Sequence, residues 1–434
     1  MKQKTLNFLR SFLSLALAIV LCLGTALPAL ADLNGDGAAV GTESNPAKVG
    51  ITKLLTMPDG TTIPTATFTF NVSKVSKNDE TDSTALAAMP SIGVSDGTGS
   101  NSVTYTTMDP NSVNNGVKSV YKETPDILGN ITWPSAGVYV YEISEQNDSY
   151  LTTAEETMTY SPAKYKLSVY VKEKSGGSGF YVYGVSVVIT TPDNDAQNVG
   201  DKVDPTPGTG GKHSDLIFTN SYLKTSGGGD PTDLANQRVS ISKLVVGDYA
   251  EKDRYFTYDL TVTQPTAVTG NAATYKAYVL NSSNAIVTSA SHTSTAIQTD
   301  SYGDYFTVTS GTQTSVMLKH GEKLVFTDVH IGATYVANEQ GAVGYTPSAI
   351  VTVNGVTPEN LSGSLGSSLS TNSRTIGDQG ANTAAFTNTY RSDVTPTGII
   401  IDNLPFILLL TVAVGTMVLF VVVKARKRRG YTAR

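Results

Sequence analysis

One arrangement of three polar residues on three strand-like segments occurs twice in this chain. In the first half it reads Ile51-Thr52-Lys53-Leu54, then Tyr141-Glu142-Ile143-Ser144-Glu145, then Phe218-Thr219-Asn220-Ser221-Tyr222. In the second it reads Ile241-Ser242-Lys243-Leu244, then Tyr335-Val336-Ala337-Asn338-Glu339, then Phe386-Thr387-Asn388-Thr389-Tyr390. The Lys-to-Glu separations (145 minus 53, 339 minus 243) are 92 and 96 residues, the mark of one fold used twice.

Between these motifs, short runs of β-branched and aromatic residues alternate with Gly, Pro, Asn and Asp clusters. Thr67 to Val72, Val138 to Tyr141, Tyr165 to Val171 and Tyr181 to Val185 are examples from the first half; Tyr255 to Val262, Thr274 to Leu280 and Ala349 to Val353 come from the second. No segment between the two ends holds a helical period over three turns. Many short strands at this spacing predict an all-β chain of two tandem immunoglobulin-like β-sandwich domains. The run Ser226-Gly227-Gly228-Gly229-Asp230-Pro231 reads as the linker, dividing the chain into domains at 45–224 and 236–391.

The two ends read as export and retention signals. Lys2, Lys4 and Arg10, the apolar stretch Phe12 to Leu27 and the small residues Ala29-Leu30-Ala31 form a signal peptide over 1–31. The only cysteine, Cys22, lies within it, so the exported chain has neither disulfides nor a thiol nucleophile. At the other end, Leu404 to Val423 is 20 residues without a charge, long enough to cross a bilayer as a helix, followed by Lys424, Arg426, Lys427, Arg428 and Arg429. Of 31 Lys and Arg, nine fall in these end segments, as does one of the 37 acids, Asp402. The exported part thus carries 22 basic and 36 acidic residues, a net charge of −14. Such a surface is soluble and a poor partner for nucleic acid.

The repeated triads carry a specific chemistry. If Ile51, Lys53 and Leu55 share the inward face of a strand, the Lys53 ammonium is buried, and burial strips its proton or demands a carboxylate. A neutral lysine is a nucleophile. Glu145 follows the apolar face Tyr139, Tyr141, Ile143, and burial raises a carboxyl pKa. A protonated Glu145 hydrogen-bonded to the Asn220 carbonyl would polarise it and shuttle the proton as ammonia leaves, giving an amide between Lys53 and Asn220. Lys243, Glu339 and Asn388 support the same argument. One triad alone is better read as surface residues or an ordinary buried ion pair; recurrence with matching neighbours reverses that in favour of the bond.

These residues resemble the isopeptide-linker domains of Gram-positive major pilins, particularly streptococcal two-domain backbone pilins, over 45–423. In that family an N-terminal-strand lysine bonds a C-terminal-strand asparagine, assisted by a glutamate in a Tyr-x-Leu-x-Glu box. The box stands here as Tyr141-x-Ile143-x-Glu145 and Tyr335-x-Ala337-x-Glu339, the second followed by Gly344-Tyr345 and departing from the pattern at Ala337. The segment 394–434 resembles a cell-wall sorting signal: Val394-Thr395-Pro396-Thr397-Gly398 is a variant of Leu-Pro-x-Thr-Gly ahead of the apolar helix and basic tail. The resemblance implies sortase cleavage between Thr397 and Gly398, passage through the membrane as a precursor only, and linkage to neighbouring subunits or peptidoglycan at the cell surface. It also implies a lysine on the adjacent subunit that accepts Thr397. By position, eight residues before Asn220 in the Gly-rich loop Asp204 to Lys212, this is Lys212, with Lys202 and Lys164 as competitors; the Tyr-Pro-Lys-Asn motif of other pilins is absent.

Together these readings describe a sortase-assembled pilus backbone subunit without cofactor. The alternatives are a non-polymerised wall adhesin or minor pilin of the same domains, or a surface carbohydrate-binding module or hydrolase. The last would need an aromatic platform or paired carboxylates that the sequence does not display. Asp32-Leu33-Asn34-Gly35-Asp36-Gly37 with Glu43 fits a calcium-loop pattern, but Asp32 would be the first mature residue, with no entering helix. His213, His292, His320 and His330 lack metal-ligand spacing, so no metal is expected.

Overall fold

The computed structural model describes residues 40–93, 101–226, 228–390 and 404–430. The expected signal peptide, most of the expected calcium-like loop, and both Thr397 and Gly398 lie outside the described residues.

Residues 52–224 build two facing sheets. The first has five strands in the order Ser112–Asn114, Val117–Glu123, Thr52–Pro58, Ile217–Lys224, Glu156–Thr159. The second has six: Lys202–Val203, Phe180–Thr191, Lys164–Glu173, Gly137–Glu145, Ala66–Lys77, Ser102–Tyr105. Residues 239–390 repeat the plan with an eight-stranded sheet, in which Val239–Val246 lies between Lys323–Phe326 and Asn382–Tyr390, facing a sheet built on Phe256–Thr263 and Thr334–Glu339. The chain is therefore an all-β pair of sandwiches, its apolar side chains alternating inward at the period of two that a half-buried sheet requires. In Val239–Val246, for instance, Val239, Ile241, Lys243 and Val245 are buried and Leu244 faces out. The only helix within the first sandwich's described residues is the single turn Ser83–Ala87, capped by the Asp82 carboxylate.

In both sandwiches the first and last strands are parallel neighbours. Thr52–Pro58 pairs with Ile217–Lys224 so that Lys53 lies opposite Phe218 and Leu55 opposite Asn220. Val239–Val246 pairs with Asn382–Tyr390 in the same register, Lys243 opposite Phe386 and Val245 opposite Asn388. Parallel neighbours need a crossover connection; here the crossover is the rest of the domain. The two-residue offset puts lysine and asparagine on one face of the sheet, the face that meets the core.

The chain crosses between sandwiches under restraint. The sequence reads residues 226–231 as a linker, yet the Ser226 N–H donates to the Val329 carbonyl at 2.7 Å, the Ile331 N–H to Lys224 at 2.8 Å, and Thr225 bridges to His330. The buried Asp378 carboxylate of the second sandwich accepts the Thr62 N–H (3.1 Å) and Thr62 Oγ1 (2.6 Å) of the first, and pairs with Lys224 Nζ at 3.4 Å. Gly332, at φ +81°, is held so close that an added Cβ would stand 2.4 Å from Pro58 Cβ; only glycine fits both that conformation and that contact.

Beyond the sandwiches, Leu404–Gly430 is one helix. Its segment Pro405–Arg426, with mean hydropathy 2.9, is long and apolar enough to cross a membrane.

Candidate functional site

Each sandwich buries a cluster of a lysine, a glutamate and an asparagine, the lysine on its first strand and the asparagine on its last. The sheet opposite the lysine and asparagine strands supplies the carboxylate, at the end of Gly137–Glu145 in the first domain and of Thr334–Glu339 in the second. Lys53 Nζ lies 2.7 Å from Glu145 Oε2, and the Asn220 Nδ2 donates to Glu145 Oε1 at 2.9 Å. Neither the Lys53 nor the Glu145 side chain is exposed to water. In the second domain Lys243 Nζ bonds Glu339 Oε1, and Asn388 Nδ2 donates to the same oxygen at 2.9 Å.

The surroundings push each pair away from its ionic form. Burial lowers Lys53 to about 8 against the opposing pull of Glu145, and lowers Lys243 to about 8 against that of Glu339. Burial likewise raises both glutamates above the ordinary carboxyl range, opposed by their lysines. Desolvation penalises whichever form is charged, so moving one proton from ammonium to carboxylate yields a neutral amine beside a carboxylic acid. An aromatic ring closes each site from below, Phe68 with its centroid 5.0 Å from Lys53 Nζ and Phe256 4.2 Å from Lys243 Nζ. The sequence analysis missed this pair; setting the second strands of the two halves side by side, Thr67-Phe68-Thr69 and Tyr255-Phe256-Thr257, would have revealed it.

The detailed geometry corrects one expectation. In both sites the glutamate faces the asparagine's nitrogen and not its carbonyl. The carboxyl group thus bridges the nucleophile and the leaving group, and polarisation of the carbonyl must come from elsewhere. In the first domain the Ser161 main-chain N–H donates to Asn220 Oδ1 at 2.8 Å. No sequence motif announced Ser161.

Lys212 is exposed at the end of its loop, beside an open cleft of about 600 Å³ lined by Tyr121, Lys202, His213 and Asp215. The His213 ring stacks on Tyr121 with centroids 5.0 Å apart. Lys202, the nearer competitor, lines the same cleft, whereas Lys164 sits in a strand and pairs with Glu142 at 3.7 Å. No group of His, Cys, Asp and Glu suited to a metal ion occurs among the described residues.

Comparison with known families bears on the first sandwich directly. Residues 49–223 match the model of the Spy0128-like isopeptide containing domain. That match spans the first sandwich alone. Residues 237–390 match a domain of unknown function, DUF7601. No curated protein matches the chain. Among solved structures, the major pilin from Streptococcus pyogenes is 18% identical, covering 80% of this chain and 99% of its own, with a TM-score of 0.31. A mutant of the same pilin gives 19% identity, the same coverage and a TM-score of 0.32. The pilus-presented adhesin Spy0125 is 14% identical over 57% of this chain and 39% of its own, at a TM-score of 0.20.

Proposed function

We propose that this chain is the structural backbone subunit of a sortase-assembled, cell-wall-anchored pilus, each sandwich stapled by a self-formed Lys–Asn amide. The observation that supports it is the pair of dry Lys-Glu-Asn clusters joining first strand to last in both domains. Lys53 Nζ, relieved of a proton by Glu145, attacks Asn220 Cγ; Glu145 gives that proton to Nδ2 and takes up the second Nζ proton, the C–N bond breaks, ammonia departs and a secondary amide remains beside a protonated Glu145. Lys243, Glu339 and Asn388 follow the same course. Atoms balance with no cofactor, and the only activity needed is this intramolecular one. Outside the domains, a sortase would cleave after Thr397 and pass its acyl group to Lys212 of a neighbouring subunit or to peptidoglycan, leaving the apolar helix in the membrane.

The intact mass of residues 32–397 tests the bonds. The expected result is a deficit of two ammonia masses, falling to one in Glu145→Ala and to one in Glu339→Ala; a full mass in the parent chain would reduce both clusters to ordinary core polar residues. Polymerisation is read separately from wall extracts, where Lys212→Ala should abolish the high-mass ladder. An intact ladder would transfer the role to another lysine such as Lys202, and no ladder from the parent chain would leave a non-polymerised adhesin.

A further inference from the structure

The two clusters share their strands, register and residue types, but they differ at the atom where negative charge gathers during the reaction. Asn220 Oδ1 receives the Ser161 N–H at 2.8 Å. Asn388 Oδ1 is buried and accepts a hydrogen bond from no described residue, as does Glu339 Oε2.

The cause lies in how each asparagine strand is flanked. In the first domain the strand Glu156–Thr159 pairs with the asparagine strand as far as Thr159 opposite Ser221, and then stops. Residues 160–163 leave that sheet for Lys164–Glu173 in the facing one. Leaving the ladder frees the Ser161 N–H to turn onto the Asn220 side chain. In the second domain the flanking strand Tyr345–Thr352 pairs without interruption from Tyr345 opposite Tyr390 to Thr352 opposite Thr383. The residue it sets opposite Asn388 is Pro347, which has no N–H to give.

The Ser161 amide is also held in place. Its Oγ donates to Asp193 Oδ1 and accepts the Ala163 N–H at 3.2 Å. The same Asp193 oxygen accepts the Thr219 N–H at 3.2 Å, tying the crossover to the residue before Asn220. Because a main-chain N–H can only donate, the Asn220 atom facing it must be the oxygen. That fixes the amide with its nitrogen on Glu145 and its oxygen on the donor.

We propose that the Ser161 main-chain N–H is the oxyanion donor for closure of the Lys53–Asn220 bond, positioned by Asp193, and that the second domain, without such a donor, closes its bond more slowly. This rests on the bond-forming reading above. As Nζ adds to Cγ, the carbonyl π electrons move onto Oδ1, where the N–H is already aimed; they return as the bond to Nδ2 breaks, ammonia leaving with the proton carried by Glu145 while that carboxylate takes up the second Nζ proton.

The test follows each cross-link separately in time. Unreacted 32–397 chain, recovered unfolded, is diluted into native buffer, quenched in acid denaturant, digested, and both linked peptides are quantified by mass. In the parent chain the Lys53–Asn220 link should form ahead of Lys243–Asn388. Ser161→Pro should slow the first link roughly 10²–10³-fold, the usual loss for one oxyanion donor, and leave the second unchanged. A structural role alone would not separate rate from fold. Ser161→Pro is therefore also placed in a Lys53→Ala background, where an unchanged melting temperature shows the domain intact. If proline disrupts that fold, Ser161→Ala carries the test: it keeps the N–H but cuts the tie to Asp193, and should slow the first link severalfold. An unslowed first link in the folded variant, or a second link as fast as the first in the parent chain, overturns the proposal. Absence of both links from the parent chain would instead overturn the bond-forming reading itself.

Discussion

Lys53 and Glu145 together hold one mobile proton across 2.7 Å, and the state that reacts is the one with that proton on the carboxyl group. This neutral pair has the same proton count as the ion pair, so pH leaves its population unchanged while that count is maintained. Below the raised Glu145 pKa a second proton enters and keeps the lysine charged. Above about 8, where burial has set the Lys53 titration, the pair loses its proton and no acid remains for the leaving ammonia. Bond formation should therefore be level through neutral pH and fall above about pH 8, although free amine increases there. Refolding unreacted chain at stepped pH and following ammonia loss checks this; a rate that keeps rising to pH 10 would mean that the carboxyl group transfers no proton. Of these residues, the lysines, glutamates and asparagines stand out in the sequence because each triad recurs among matching neighbours. Ser161 does not, because a main-chain N–H is the same at every non-proline residue and only its direction makes it useful.

At the scale of the element, the decisive feature is the parallel pairing of end strands. An amide from Lys53 to Asn220 would close a loop of 167 residues (220 minus 53), and one from Lys243 to Asn388 a loop of 145 (388 minus 243). By the chain-entropy relation for cross-links, each is worth on the order of 5 kcal/mol. Breaking the first link with Asn220→Ala should lower the first domain's melting temperature by roughly 10–20 °C, given the usual slope for domains of this size, and leave the second domain's transition in place. Calorimetry resolves the two; a common shift of both transitions would show the domains unfolding as one unit. Tension applied at the ends of a domain would pass from first strand to last through the amide, so the sheet ladders would bear little of it.

At the scale of the molecule, the joint between sandwiches is built and not merely connected. Asp378 gathers two donors from Thr62 and the Lys224 ammonium, and Gly332 lets Pro58 close against the second domain. A second point of contact is Thr266 Oγ1 on the Asn115 carbonyl at 2.7 Å, at the tip of the 112–123 hairpin. Hydrogen bonds to a charged group are worth about 1.5–3 kcal/mol each, enough to hold a preferred angle. Asp378→Ala should free the domains to reorient, seen as a broadened distance distribution in small-angle scattering with both melting transitions retained. An unchanged distribution would assign the rigidity to the apolar contact at Gly332.

The sequence by itself determined the strand content, the duplication, the polar triads and the apolar helix near the C-terminus. Period-two alternation, local composition and repeated neighbours are properties of adjacent residues and can be read along the chain. The tertiary structure decided which side of the asparagine amide faces the carboxyl group, which loop amide reaches Asn220 but has no counterpart among the described residues at Asn388, and how residues 224–226 are tied to the second sandwich. Each of these depends on where a backbone group points after a distant strand has ended or continued. Ser161 serves Asn220 because a strand stops at Thr159 and its chain crosses the core, and hydrogen-bond direction across such separations is fixed only when both sheets are in place.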